Sequence, residues 1–104
     1  MKVYVAGPLN GTDGFAYLKN LARMYQVALQ IHRLGHAVFI PGADVLLALL
    51  HGDFGPEDAY DRSLEWLRVS DCIFVIAPSP HVNLEIDEAK RLGKPIYTEL
   101  EELI

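Results

Sequence analysis

The sequence predicts an α/β fold: one domain over residues 1–104, with a four-stranded parallel sheet between two layers of helices. Two observations carry this expectation. Short apolar runs rich in Val, Ile and Phe alternate with longer stretches of helical periodicity, and glycine or proline punctuates nearly every junction. Strands separated by helices pair in parallel, because the crossover returns the chain to the same edge of the sheet with a right-handed turn.

The first strand is KVYVAG, from Lys2 to Gly7, β-branched and closed by Gly-Pro. After the polar loop PLNGTDG, residues 15–34 place Leu18, Leu21, Ala22, Tyr25, Ala28, Leu29 and His32 at helical spacing, and Gly35 supplies the stop. HAVFIPG (36–42) reads as a second strand, and ADVLLALL (43–50) as a short helix. The loop HGDFGP (51–56) leads through Pro56 into a helix from Glu57 to about Ser70 that holds Leu64, Trp66 and Leu67.

CIFVIAP is apolar on both faces, so it and the first strand take the central places in the sheet. Ser79-Pro80 forms a helix cap and first turn, and Gly93 ends that helix. KPIYTEL supplies the fourth strand, with a terminal turn in LEELI. The whole reads as a Rossmann/flavodoxin-like three-layer fold with helices on both faces of the sheet.

Composition narrows the function. With 104 residues, 51% of them hydrophobic, the chain suits one globular domain. A domain of this size buries only roughly 60–70% of its unfolded surface, so a homo-oligomer, a dimer or larger, is expected. A net charge of −5 with nine scattered Lys and Arg argues against a nucleic acid polymer as partner. No apolar run approaches the roughly 20 residues that span a bilayer, so no membrane partner is expected. The sequence starts almost directly on a strand with no signal-peptide pattern, which makes the cytoplasm the expected location. Cys72 is the single cysteine and reads as a small buried hydrophobe.

In a parallel sheet the ligand site lies beyond the carboxyl ends of the strands, where strand order reverses. Two loops are placed to build it: GPLNGTDG after the first strand and APSPHVNLE after the third. Gly7, Gly11 and Gly14 match neither the GxGxxG fingerprint nor a P-loop, which disfavours NAD and nucleoside-triphosphate chemistry. Ala6, Gly7 and Pro8 stand where a receiver domain would carry its acidic pair. His32 and His36 are four apart, but Gly35 interrupts the helix between them and no carboxylate joins them, so no metal is assigned. Glu85 lies six residues after Ser79, near a helix start, where the dipole alone favours an acid by about 0.3–1 kcal/mol. Position by itself therefore leaves Glu85 open between a helix-start residue and an active-site carboxylate.

From Tyr60 to Tyr97 the run YDRSLEWLRVSDCIFVIAPSPHVNLEIDEAKRLGKPIY resembles the nucleoside 2-deoxyribosyltransferase-like superfamily, including the 2′-deoxynucleoside 5′-phosphate N-hydrolases. VYVAGPLNG is similar to that family's first strand and glycine loop. The shared features are LxWLxxSD in a helix, an apolar strand, a Ser six residues before a Glu, and the ExxxAxxLGKP passage from helix to strand.

The resemblance implies that Glu85 is the carboxylate that attacks the anomeric carbon of the sugar, and that Tyr4 is the tyrosine whose hydroxyl lies near it. It implies that Ser79 grips a 5′-phosphate and that Gly7 lets backbone approach the nucleotide, with the loop as far as Gly11 completing that grip. Ser63 stands where the family carries an aspartate beside the leaving base. Serine can hydrogen-bond a base but is no useful acid near neutrality. Asp61 lies roughly 200° away on a regular helix and replaces that aspartate only if the helix starts later. Pro8 and Asn10 stand where the hydrolases carry a serine and a basic residue. The resemblance requires no metal or organic cofactor.

The first expectation is N-glycosidic cleavage or transfer on a small nucleoside or nucleoside 5′-monophosphate. The second is a nucleotide-binding module that kept the pocket and lost the acid at Ser63. The third is an oligomerising α/β protein without a ligand.

Overall fold

A computed structural model describes residues 1–9, 13–41 and 56–104, the side chains of 56–60 excepted. The expected short helix at 43–50, the loop after it, and Asn10 and Gly11 lie outside the described residues. The elements are β1 (Lys2–Ala6), α1 (Gly14–Arg33), β2 (Ala37–Phe39), α2 (Pro56–Val69), β3 (Cys72–Val75), α3 (Pro80–Arg91), β4 (Ile96–Tyr97) and a terminal 3-10 turn, Leu100–Leu103.

The sheet is parallel throughout, in the order β2-β1-β3-β4, with β1 and β3 central as the sequence predicts. Register places Tyr4 beside Phe39 on one side and Ile73 on the other. Strand side chains alternate between faces. Val3, Val5, Cys72 and Phe74 accordingly pack with Met24, Ala28 and Ile31 of α1, while Tyr4, Ala6, Ile73 and Val75 pack with Leu67 of α2 and with Val82 and Ala89 of α3. The chain steps from β1 to β2 in one direction and from β2 to β3 to β4 in the other. Right-handed crossovers therefore put α1 on one face and α2 with α3 on the opposite one.

Local chemistry fixes the helix ends. Asp13 caps α1 by accepting from the Ala16 amide at 2.8 Å, and Ser79 caps α3 by accepting from the Val82 amide at 3.2 Å, with Pro80 next. Gly35 (φ +96°) and Gly93 (φ +70°) end α1 and α3 in the left-handed region that a side chain disfavours. Between α2 and β3, Asp71 accepts from the Lys2 amide at 2.7 Å, which ties that turn to the start of β1.

Two expectations change. The strands are shorter than their apolar runs: only Ala37–Phe39 of HAVFIPG and Ile96–Tyr97 of KPIYTEL form ladders, as suits outer strands with one neighbour each. The face of α1 is also rotated. Of the expected positions Ala28 is buried and Leu21 packs on the core, beside Met24 and Ile31, whereas Leu18, Ala22, Tyr25, Leu29 and His32 are exposed. The helix carries two apolar stripes, and the one with Met24, Ala28 and Ile31 lies on the sheet.

Candidate active site

Strand order reverses between β1 and β3, so the crevice forms where their carboxyl ends meet the following loops. Gly7 closes β1 there. A Cβ on it would lie 3.3 Å from Ile76 Cδ1 and 3.5 Å from Met24 Cγ, so glycine lets the two strand ends and α1 come together. Pro8 is half-buried beside it, and the Leu9 carbonyl accepts from Asn20 Nδ2 at 3.2 Å, which fastens the loop to α1.

On the α2–α3 face the strand ends are Ala6 and Val75, and the polar groups lie one pleat deeper. Tyr4 is fully buried at the centre of the sheet, and its hydroxyl donates a hydrogen bond to Glu85 Oε2. Glu85 lies on the buried face of α3, between Val82 and Ala89, and is 7% exposed. Burial pushes its carboxyl up to about 7, and the Tyr4 hydroxyl, by stabilising the anion, holds it below where burial alone would put it.

Ser63 is buried one helical turn before Leu67, on the side of α2 that faces this layer, whereas Asp61 is exposed. With the helix beginning at Pro56, Asp61 points away from the layer that holds Glu85. Ser79 stands at the start of α3, half-buried; its oxygen caps the helix and its proton is a donor. The structure thus brings Tyr4, Glu85 and Ser63 into one layer and sets Gly7 and Ser79 at the adjoining strand ends.

An aromatic series extends from this layer. The Tyr4 and Phe39 ring centroids are 5.7 Å apart, and Phe39 stacks on Trp66 at 5.0 Å and 20°. The sequence offered Trp66 only as an apolar helix position and did not single out Phe39. The β1–β2 register, which sets Phe39 beside Tyr4, was the signal that links them. A cavity lined by Val27, Phe74, Ile76, Leu100 and residues 98, 99 and 101 lies on the opposite face and does not include Glu85. Among the described residues no three His, Cys, Asp or Glu side chains converge as metal ligands, and no helix is long and apolar enough to cross a membrane.

This geometry defines the chain as a doubly wound α/β domain with a buried carboxylate–phenol pair beside its switch point. No protein-family model matches the sequence, and no curated protein matches it. Among solved structures it is similar to a 2-deoxyribosyltransferase from the psychrotolerant bacterium Bacillus psychrosaccharolyticus, characterised as a biocatalyst for the synthesis of antiviral and antitumoral nucleosides. The TM-score is 0.69 at 23% identity, over 92% of this chain and 69% of that one. The fold is the nucleoside 2-deoxyribosyltransferase-like fold.

Proposed function

We propose that this protein cleaves or transfers the N-glycosidic bond of a small nucleoside or nucleoside 5′-monophosphate, with Glu85 as the nucleophile. The single observation that carries the reading is the Tyr4–Glu85 pair, buried between sheet and helices in a chain that shares its fold with a 2-deoxyribosyltransferase.

A Glu85 oxygen attacks the anomeric carbon as the bond to the base nitrogen breaks. The bonding pair leaves on the base, which takes up a proton from solvent or a neighbouring donor. Water or a second base then attacks the same carbon and returns the carboxylate. A transition state with oxocarbenium character gains from an anion held beneath it in a water-poor layer, where charges interact strongly. The Tyr4 hydroxyl fixes the carboxylate's orientation and favours its ionised, nucleophilic form. The Ser79 hydroxyl at the start of α3 suits a 5′-phosphate. Ser63 offers the leaving base a hydrogen bond from the buried side of α2, and the Gly7 loop lets backbone approach the sugar. The reaction as written uses no metal or organic cofactor.

One observation favours a second reading, a binding module of the same fold: the buried position on α2 holds Ser63, which cannot protonate a leaving base. Both readings are tested by incubating the protein and its Glu85→Gln variant with a panel of nucleosides and nucleoside monophosphates and following free base by chromatography. Base release by the native protein and not by the variant establishes the glycosidic reaction. Thermal stabilisation by panel members without release establishes the binding module.

A further inference from the structure

Tyr4 is flanked on both sides along the sheet, by Ile73 of the central strand β3 and by Phe39 of the outer strand β2. The two flanks differ in their support. Strand β3 has β4 beyond it, whereas β2 pairs only with β1 and its ladder ends at Phe39, so among the described residues no further strand backs that ring. Trp66 of α2 takes the missing strand's place. Its ring stacks on Phe39 at 5.0 Å and 20°, and Phe39 in turn lies 5.7 Å from the Tyr4 ring at 35°. Trp66 stays 48% exposed, more than a side chain chosen only to fill a core would be. What the indole adds at that edge is a flat face as wide as the ring it backs.

We propose that Phe39 and Trp66 are positioning residues for the Tyr4–Glu85 pair: the stack stops the phenol from swinging toward the edge of the sheet and so keeps its hydroxyl on the carboxylate. Rotation about χ2 spins the Tyr4 ring but leaves the hydroxyl on the axis of rotation. The hydroxyl's place is therefore set by χ1, and a change of χ1 well carries it away from Glu85. Side chains packed on the flanks of the ring oppose that change, and on the β2 flank the chain of contact runs through Phe39 to Trp66.

Holding the hydroxyl and merely excluding water have opposite signatures at Glu85. Among the described buried residues of this layer, Tyr4 and Glu85 are the only titratable groups; β3 presents Ile73 and Val75, α2 Ser63 and Leu67, and α3 Val82 and Ala89. Burial raises the Glu85 carboxyl and the Tyr4 hydroxyl lowers it. If the stack only kept water out, truncating it would hydrate Glu85 and move its titration midpoint down. If the stack holds the hydroxyl, truncating it frees the phenol and moves the midpoint up. The consequence for turnover rests on Glu85 being the nucleophile, whereas the placement of Tyr4 does not.

The test follows the Glu85 carboxyl carbon by NMR as pH is varied, with Glu85→Gln identifying its signal. Phe39→Leu and Trp66→Ala are expected to raise the midpoint by about half a pH unit, which below the midpoint means about a threefold smaller ionised fraction. Trp66→Phe, which keeps an aromatic face, is expected to return the midpoint to its native value. In a Tyr4→Phe background Phe39→Leu is expected to add nothing, because the group it acts through is gone. Trp66→Ala, at a half-exposed position, carries the test should Phe39→Leu fail to fold. A midpoint that stays or falls in the truncated variants, a Trp66→Phe variant no closer to native than Trp66→Ala, or a further shift in the Tyr4→Phe background would each overturn the proposal. The rising limb of base release should move with the midpoint. If no nucleoside releases its base while these shifts are seen, the glycosidic reading fails and the positioning stands.

Discussion

The two faces of the sheet are built by the same strands and do different work. Toward α1, β1 and β3 present Val3, Val5, Cys72 and Phe74, which pack among apolar side chains, and burial pushes the Cys72 thiol above its usual range. Toward α2 and α3 the same strands present Tyr4, Ala6, Ile73 and Val75, and that layer also holds Glu85 and Ser63. One step along β1, from Val3 to Tyr4, changes a packing residue into one that hydrogen-bonds a buried carboxylate. On the proposed reading the α1 face contributes packing alone. The other face gives up stability by burying a carboxyl, which is the usual place to look for function.

Paired substitutions sharpen that comparison. Glu85→Gln preserves shape and is expected to lower base release at least about a thousandfold, because an amide cannot form the glycosyl ester, while the denaturation midpoint at neutral pH stays level or rises. Ile31→Ala, in the centre of the α1 face, is expected to cost roughly 3 kcal/mol in denaturant unfolding and to leave turnover per folded molecule unchanged. If the two variants lose activity and stability together, the division between the faces is wrong.

The pH dependence separates the faces again. Glu85 is pushed up to about 7 in the fold, above the range of an unfolded glutamate, so the native state holds more protons between those values. Stability from this group is fully present below about pH 4.5, declines as pH rises, and is lost above about pH 7. The total is roughly 3 kcal/mol, which urea melts across that window read directly and which Glu85→Gln should remove. Activity runs the other way, rising through the same window as the nucleophile ionises. Tyr4→Phe then isolates the hydroxyl. It should cost little at pH 5 and about 1 kcal/mol more at pH 8, where the anion loses its donor, and should move the rising limb of the rate to higher pH.

Much of this arrangement was legible because it depends on short-range pattern. The apolar character of CIFVIA placed β3 at the centre, and Gly35 and Gly93 marked helix ends that the backbone requires. The pairing of Tyr4 with Glu85, 81 residues apart, came only through resemblance, since no local rule links a strand tyrosine to a distant helix. The buried face of α1 was legible only in part: Ala28 and Leu21 reach the core as expected, but Leu18, Tyr25 and Leu29 are as apolar as Met24 and Ile31, and periodicity detects a stripe without saying what covers it. Ser63 against Asp61 was likewise a question of helical phase, which the start of α2 at Pro56 answers.

The smallest expected effect tests the rim of the site, where a structural role and a binding role fall on one residue. Ser79 caps α3, so Ser79→Ala should cost about 1 kcal/mol whether or not the hydroxyl ever meets a ligand. Ser79→Asp separates the two roles. Aspartate caps a helix as well as serine does, so the melting temperature should hold, but its charge would repel a 5′-phosphate. If Ser79 grips that phosphate, the aspartate variant should lose its preference for monophosphates over nucleosides while keeping native stability and native rates on the uncharged nucleoside. If preference is unchanged, Ser79 is a cap alone, and the phosphate, where one is bound, is held by the β1 loop that packs against Ile76 and α1.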